Sequence, residues 1–317
     1  MVYNVGTACE GIRLSDAQTA AAPKKEGGIA LKKRTKKAVA FILSAMMMLS
    51  AFTIISSAAT QGTSFPSGSS PVSIYMDGKQ VLNGRSALID SVTYVAIRDF
   101  STLVSDSKVT WDAKTRTAYA TSGSRVVSAT DGNYYIYADG RYFYTVERIR
   151  IIDGTMYVPI RPLAKAFGVE VGWDNTTRSV TLKKTGVLPV SGSRFYNSDD
   201  LYWLSRIISA EAKGESLKGQ IAVGNVVQNR VRSSAYPNTI YGVIFDRRGG
   251  TQFSPVSYGT IYHSPTASSV IAAKICLEGY TLSQDILFFM NPRIATNDWI
   301  SRTRTFEFRL GNHDFYS

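Results

Sequence analysis

The sequence predicts an α+β protein in two modules: a β-rich module made of two copies of one unit, then a domain of helices first and strands later. Three observations carry that expectation. Short runs in which β-branched and aromatic residues alternate with polar ones recur at a spacing of 62 to 63 residues. Stretches rich in Ser, Gly and Pro flank that block on both sides. Beyond residue 194 the apolar period changes from strand-like to helical.

The 317 residues allow two modest domains, and 44% hydrophobic with 19% charged residues excludes a disordered or fibrous chain. Residues 1–59 are expected to be an upstream extension and a secretory signal. Lys32, Lys33, Arg34, Lys36 and Lys37 precede an apolar run from Ala38 to Ile55, which ends in Ser56, Ser57, Ala58 and Ala59. Cleavage is expected near Ala59, and a retained anchor is the alternative, since about 18 apolar residues just span a bilayer. Both readings put the rest of the chain outside the cytoplasm. That remainder carries 28 Lys and Arg against 21 Asp and Glu. Its moderate positive charge suits anionic wall polymers, and nucleic acid is not an expected partner in that location. Cys276 is then the one cysteine left, within an apolar stretch, and is read as a buried small hydrophobe.

Residues 60–71 form the first linker and residues 72–184 the β-rich module. Tyr94-Val95-Ala96-Ile97-Arg98 recurs as Tyr157-Val158-Pro159-Ile160-Arg161. Trp111-Asp112 with Arg116 recurs as Trp173-Asp174 with Arg178, and Asp77-Gly78 as Asp139-Gly140. Strands are expected at Val169–Trp173 and Ser179–Leu182, with a short helix over Pro162–Phe167 that Gly168 ends. On these motifs the module resembles the copper amine oxidase N-terminal-like domain of secreted bacterial proteins. It contains no His or Cys, so no copper site and no cofactor are expected. Tyr134, Tyr135, Tyr137, Tyr142 and Tyr144 are open to two readings, as stacking faces for wall sugars or as half-buried sheet residues.

Residues 185–193 are the second linker, and residues 194–317 the catalytic domain. A helix is expected from near Asp200 to Glu211, capped by Ser198 or Asp199. At about 100° per residue, Leu201, Leu204, Ile207 and Ile208 share one stripe, and Glu211 falls within it. A carboxyl group that points where apolar side chains point is pushed toward its neutral form, the form a general acid needs. A second helix over Leu217–Arg232 is apolar almost all round and therefore central. Its Asn225 and Asn229 are expected to satisfy neighbouring loops rather than substrate. A third helix is expected from Pro265 to Gly279.

Seven motifs then occur in order. They are Glu211-Ala212-Lys213-Gly214-Glu215, Gly219-Gln220-Ile221-Ala222-Val223, Asn229-Arg230-Val231, Tyr236-Pro237-Asn238-Thr239-Ile240, Gln252-Phe253-Ser254-Pro255-Val256, Asn291-Pro292 and Gly311-Asn312-His313-Asp314-Phe315-Tyr316. Over residues 199–317 the chain resembles the SleB/CwlJ type of cell wall hydrolase, the spore-cortex-lytic family. The resemblance implies a lysozyme-like fold of the goose-type, lytic transglycosylase kind, with Glu211 as the catalytic acid and base. It implies cleavage of peptidoglycan between N-acetylmuramic acid and N-acetylglucosamine, closing a 1,6-anhydro ring without water or a second carboxylate. Gln252 and Ser254 are the expected sugar contacts by motif, and Tyr262 and Trp299 by their aromatic faces. Glu215 is grouped with them, with a hydrogen bond to a loop or to the next helix as its other reading.

Asp246, Asp285 and Asp298 are read as capping or surface charges, and His313, with only His263 as company, as a brace rather than a zinc ligand. Lys213 stands where the family more often has Arg. Cortex-directed members often carry a helical peptidoglycan-binding repeat, and the β module in its place counts against a cortex substrate without deciding between cortex and vegetative wall. Two other functions compete: a wall-binding protein with an inactive domain, which should have lost Glu211, and a muramidase or glucosaminidase that uses water.

Overall fold

The computed structural model describes residues 64–317. The expected secretory signal and the start of the 60–71 linker lie outside the described residues.

The strands that carry the two Tyr-Val motifs, Val92–Ala96 and Thr155–Pro159, pair antiparallel with Val95 opposite Val158. They are the inner strands of a five-stranded sheet flanked by Ser86–Ile89 and Ser70–Pro71 on one side and Arg150–Ile152 on the other. Each runs directly into a short helix, α1 (Ile97–Ser105) or α2 (Ile160–Ala166). A hairpin follows each helix, Lys108–Asp112 with Thr117–Ser122 and Val169–Asp174 with Ser179–Lys184. The first hairpin continues into a second five-stranded sheet ending at Arg141–Tyr144; the second pairs with Ile74–Met76. Ile74, Val95, Phe100, Val158, Leu163 and Val180 close one core between the layers. Helix α2 begins at Ile160, two residues before the expected start. Pro162 sits in the first helical turn, where its missing N–H has no intrahelical acceptor to lose, so it does not delay the helix. Gly168, at φ +66°, takes the left-handed conformation that follows the helix.

Residues 185–193 lie along the β module. Thr185 N–H bonds Gly168 O at 3.1 Å and Gly192 N–H bonds Asp139 O at 2.8 Å. Arg125 and Arg141 donate to Pro189 O and Val190 O at 3.1 and 3.3 Å.

After the short α3 (Gly192–Phe195) comes α4 (Ser198–Ala212). Its N-cap is Asn197, not Ser198 or Asp199: the Asn197 side chain accepts from Asp199 N and Asp200 N, which leaves both aspartates in the first turn, where negative charge complements the helix dipole. Helix α5 (Leu217–Arg232) spans the expected residues, and nearly its whole surface is buried. Helices α6 (Ile240–Ile244) and α7 (Ser254–Ser257) are short. Helix α8 (Ala267–Leu277) starts after a Thr266 cap whose hydroxyl accepts from Ser269 N, which moves its beginning two residues beyond Pro265. Helix α9 (Trp299–Thr303) precedes a closing hairpin, Phe306–Leu310 with His313–Tyr316, and Phe288–Met290 pairs on the other side of its second strand.

Leu204, Ile207, Ile208, Val223, Val227 and Phe315 are among the buried residues of the second core. Gly224 fixes its spacing, because a Cβ there would stand 2.7 Å from Cys276 Sγ and 2.8 Å from Ile208 Cδ1. Three helices therefore meet at a point where only glycine fits. Asn225 donates to Tyr280 O and accepts from Leu282 N, both at 2.9 Å, and Asn229 donates to Ser283 O and Ile286 O, so both asparagines satisfy the loop after α8. Cys276 is fully buried, as expected for an inert small hydrophobe.

The β module is mounted on α8. Tyr135, Tyr142 and Tyr144 pack half-buried against the second core, and Tyr144 meets the Tyr280 ring at 4.3 Å. Most of the tyrosine cluster is thus spent on joining the modules. Arg141 and Glu278 form a bidentate pair at 2.6 and 2.7 Å, with side chains 7% and 3% exposed. Tyr196 O–H donates to the same carboxylate at 2.9 Å, Lys165 donates to the Glu278 carbonyl, and Lys274 donates to Gly140 O. Removing one partner of such a pair strands a buried charge. Glu278→Ala is therefore expected to lower the unfolding free energy by about 3–5 kcal/mol in urea titrations at neutral pH. A loss under about 1 kcal/mol would be the figure for a solvated pair and would rule out this junction.

Candidate active site

Helix α4 ends one turn past its buried stripe. Leu204, Ile207 and Ile208 are fully covered, and the next position on that face is Glu211, half-buried at the edge of the core. The side chain opens into a groove of about 1040 Å³. Burial alone pushes the carboxyl group from 4.5 up to about 7. Among the described residues no ion pair or side-chain hydrogen bond opposes that shift, so the group can both give and take a proton near neutrality.

Glu215 is treated in the opposite way. Gly214 follows the end of α4, and the chain turns so that Glu215 N–H bonds Ala212 O at 2.9 Å. The carboxylate then accepts from Asn312 N at 3.3 Å and from Asn312 Nδ2 at 2.9 Å. His313 Nδ1 lies 3.8 Å away. A Cβ at Gly311 would collide with this carboxylate, and Gly311 also has φ +56°, so the glycine serves both the turn and the contact. Gln220 holds the same corner from below. It donates to Glu215 O at 2.9 Å and accepts from Ser269 Oγ at 2.9 Å. Glu215 lines the groove, but its carboxylate is engaged in binding the last hairpin to the start of α5, the loop contact named as its second reading.

The groove brings together Glu211, Glu215, Gln252, Ser254 and Trp299. Tyr262 is not among its lining residues; it is exposed beside Trp203, with ring centroids 6.2 Å apart. Gln252 is held in place, donating to Arg248 O at 3.2 Å and accepting from Arg230 Nη1 at 3.4 Å. Ser254 opens α7 and is exposed. Trp299, 41% exposed, opens α9 and stands edge-on to Phe288 at 5.8 Å.

Further residues line the groove that the sequence did not mark as substrate contacts. Arg230 is buried on α5, bonded to Leu287 O at 2.8 Å and surrounded by the rings of Tyr236, Phe253 and Phe288. Asp246 faces the groove with its charge met by Arg248, both Nε–Oδ1 and Nη2–Oδ2 at 3.0 Å, which holds its carboxyl below the usual range. Arg304, Asn291 and His313 also line the groove. His313 is buried with Nδ1 lacking a hydrogen-bond partner, and burial favours its neutral form against the pull of the Glu215 charge. The only available signal for Arg230 and Asn291 was their place within the quoted motifs; Asp246, expected as a capping or surface charge, accepts from Arg248 N at 3.0 Å, and nothing in local periodicity marked Arg304.

These features define a two-module α+β chain whose second domain presents one unpaired, proton-holding carboxyl group to an open groove. Residues 214–316 match the family model described as Cell Wall Hydrolase, and residues 75–182 match the Copper amine oxidase N-terminal domain. The chain therefore carries a domain of the cell wall hydrolase family, preceded by a copper amine oxidase N-terminal-like domain. Glu211 lies just ahead of the matched segment. The β module's lack of His and Cys does not fit a copper centre, whatever the name of its family.

Over 120 residues the chain is 35% identical to the spore cortex-lytic enzyme of Bacillus cereus, covering 38% of this chain and 45% of that protein. It is 34% identical over 132 residues to the spore cortex-lytic enzyme of Oceanobacillus iheyensis, covering 41% and 46%. The chain thus spans about half the length of these curated relatives. A solved structure, the catalytic domain of the germination-specific lytic transglycosylase SleB from Bacillus anthracis, is 34% identical. The likeness covers 38% of this chain and 97% of that one, with a TM-score of 0.35.

The elevated Glu211 pKa has a thermodynamic consequence with a definite sign. In the unfolded chain the group ionises near 4.5, in the folded chain near 7, so the native state binds more protons between those values. Stability from this residue is therefore full below pH 4.5 and is lost as pH rises through 7. Glu211→Gln is expected to raise stability at pH 8 by about 1–3 kcal/mol relative to wild type and to make no difference near pH 4. Thermal unfolding at the two pH values checks this, and equal shifts at both would refute the buried acid.

Proposed function

We propose that the chain is an exported lytic transglycosylase that cuts peptidoglycan between N-acetylmuramic acid and N-acetylglucosamine, with Glu211 as sole acid and base. The observation that carries this reading is a groove-facing carboxyl group poised near pH 7 with no partner to fix its charge. The names of the relatives and the family support the substrate class. The lysozyme-like fold of the goose-type kind, the domain limits at 72–184 and 194–317, and the two-copy origin of the β module belong to the same proposal. The matching strand–helix–hairpin order in both halves of the module supports the last of these.

In this mechanism Glu211, protonated, gives its proton to the bridging oxygen as the bond from muramoyl C1 to that oxygen breaks. The bond's electron pair leaves with the N-acetylglucosamine oxygen. The muramoyl C6 hydroxyl oxygen then bonds to C1, and the Glu211 carboxylate takes the hydroxyl proton, which restores the starting state. No water is consumed. Of the other carboxylates lining the groove, Glu215 is held by Asn312 and Asp246 by Arg248, which supports a scheme that uses only one. Gln252, Ser254 and Trp299 supply the sugar contacts. Contact of the β module with wall polymer falls to the exposed tryptophans Trp111 and Trp173.

The test is digestion of purified sacculi followed by mass spectrometry. Wild type should release fragments with 1,6-anhydromuramoyl ends, and Glu211→Gln should lose about 10²–10⁴-fold in kcat, the usual worth of a general acid or base. Activity should fall on the alkaline side with an apparent pKa near 7, because the cutting form is the protonated one. Reducing ends alone would mean hydrolysis, and an active Glu211→Gln chain would dismiss this acid altogether.

A further inference from the structure

Three arginines line the groove, and two are already committed. Arg230 is buried, with its guanidinium on Leu287 O and Gln252 Oε1. Arg248 is chelated by Asp246. Arg304 differs. Among the described residues its side chain has no hydrogen bond and no carboxylate partner. Its guanidinium instead lies 4.4 Å from the centroid of Phe288 and 5.7 Å from that of Trp299, at the exposed end of α9. Stacking on rings orients the guanidinium plane while leaving the N–H donors at its edge available. That donor edge matches a carboxylate in the bidentate geometry that lysine cannot reproduce.

The charges around it favour the same ligand. Glu215 is occupied by Asn312, Asp246 is neutralised by Arg248, and Glu211 is largely uncharged below pH 7. An unpaired cation therefore faces a groove whose acids are spoken for or neutral. Resting on the transglycosylase reading above, we propose that Arg304 is a substrate-binding residue that recognises a carboxylate carried by the muramoyl residue. The preferred strands are then those whose 3-O-lactyl group ends in an ionised acid, either free or within an acidic stem peptide. Strands in which that group is neutral, as when capped to an amide, bind less well.

The experiment uses the full chain and three glycan substrates: peptide-bearing strands, strands stripped by an amidase to the free lactyl acid, and stripped strands capped with methylamine to an uncharged amide. Wild type should cut the capped strands with kcat/KM about tenfold below the charged ones, mostly through KM, a modest factor because Arg304 is exposed. The better of the two charged strands identifies which carboxylate is read. Arg304→Gln should pull the ratio of charged to capped strands toward one by losing on the charged strands, and Arg304→Lys should recover only part of it. Calorimetric binding by the Glu211→Gln chain should give the same ordering without any cleavage. Equal handling of charged and capped strands by wild type overturns the proposal, and so does an Arg304→Gln loss of the same factor on all three, which is what a purely structural role predicts. If wild type cuts none of them and leaves purified cortex intact as well, while Glu211→Gln still binds the charged strands preferentially, the transglycosylase reading fails and carboxylate recognition stands.

Discussion

The acid at the groove depends on how closely α4, α5 and α8 approach one another. Gly224 lets Ile208 of α4 and Cys276 of α8 close on the α5 backbone, and no larger residue fits that space. The crossing seals the apolar face of α4 up to its last turn, so the final side chain on that face, Glu211, emerges from a dry wall rather than from solvent. Its pKa follows from that position. Nothing but lost hydration acts on it, and the effect would shrink if the helices stood further apart and admitted water.

Two glutamates four residues apart have opposite surroundings, and the interruption between them is the reason. A helix continued through Gly214 would have put both on neighbouring positions of one face, where each ionised carboxylate would raise the cost of ionising the other. Ending α4 at Ala212 turns Glu215 toward Asn312 and the last hairpin. Glu215 is thereby satisfied by backbone and amide donors, while Glu211 keeps a bare carboxyl group. One serves to hold the C-terminal strands in place and the other is left free to exchange its proton.

Much of this was legible from residue pattern. The stripe of α4, the central character of α5, the structural work of Asn225 and Asn229 and the buried state of Cys276 all follow from period and polarity, because those positions are decided by local geometry and burial. The caps were misplaced because Asn197 and Thr266 compete with equally good neighbours, and only the path of the preceding chain selects among them. Arg304 escaped notice for a different reason. It owes its role to residues brought close by the fold, Phe288 and Trp299. Tyr262 shows the converse. Its aromatic character suited a sugar contact, but the chain after α7 carries it to the Trp203 side.

The β module contributes no residue to the groove lining, so any influence on the site passes through α8 or along α3 into α4. The junction is built for that. Glu278 follows directly on α8 and takes Arg141, Tyr196 and Lys165 from the preceding segments, and Tyr144 stacks on Tyr280 just beyond. The loop that begins at Tyr280 is the same one that Asn225 and Asn229 hold to α5, about one and a half and two and a half turns beyond Gln220, which anchors Glu215. A module fixed at the end of α8 thus braces the far end of the helix layer whose near end carries Glu211. Unlike a free tether, such a mount orders the loop after α8, and through it the Phe288–Met290 strand that forms one wall of the groove.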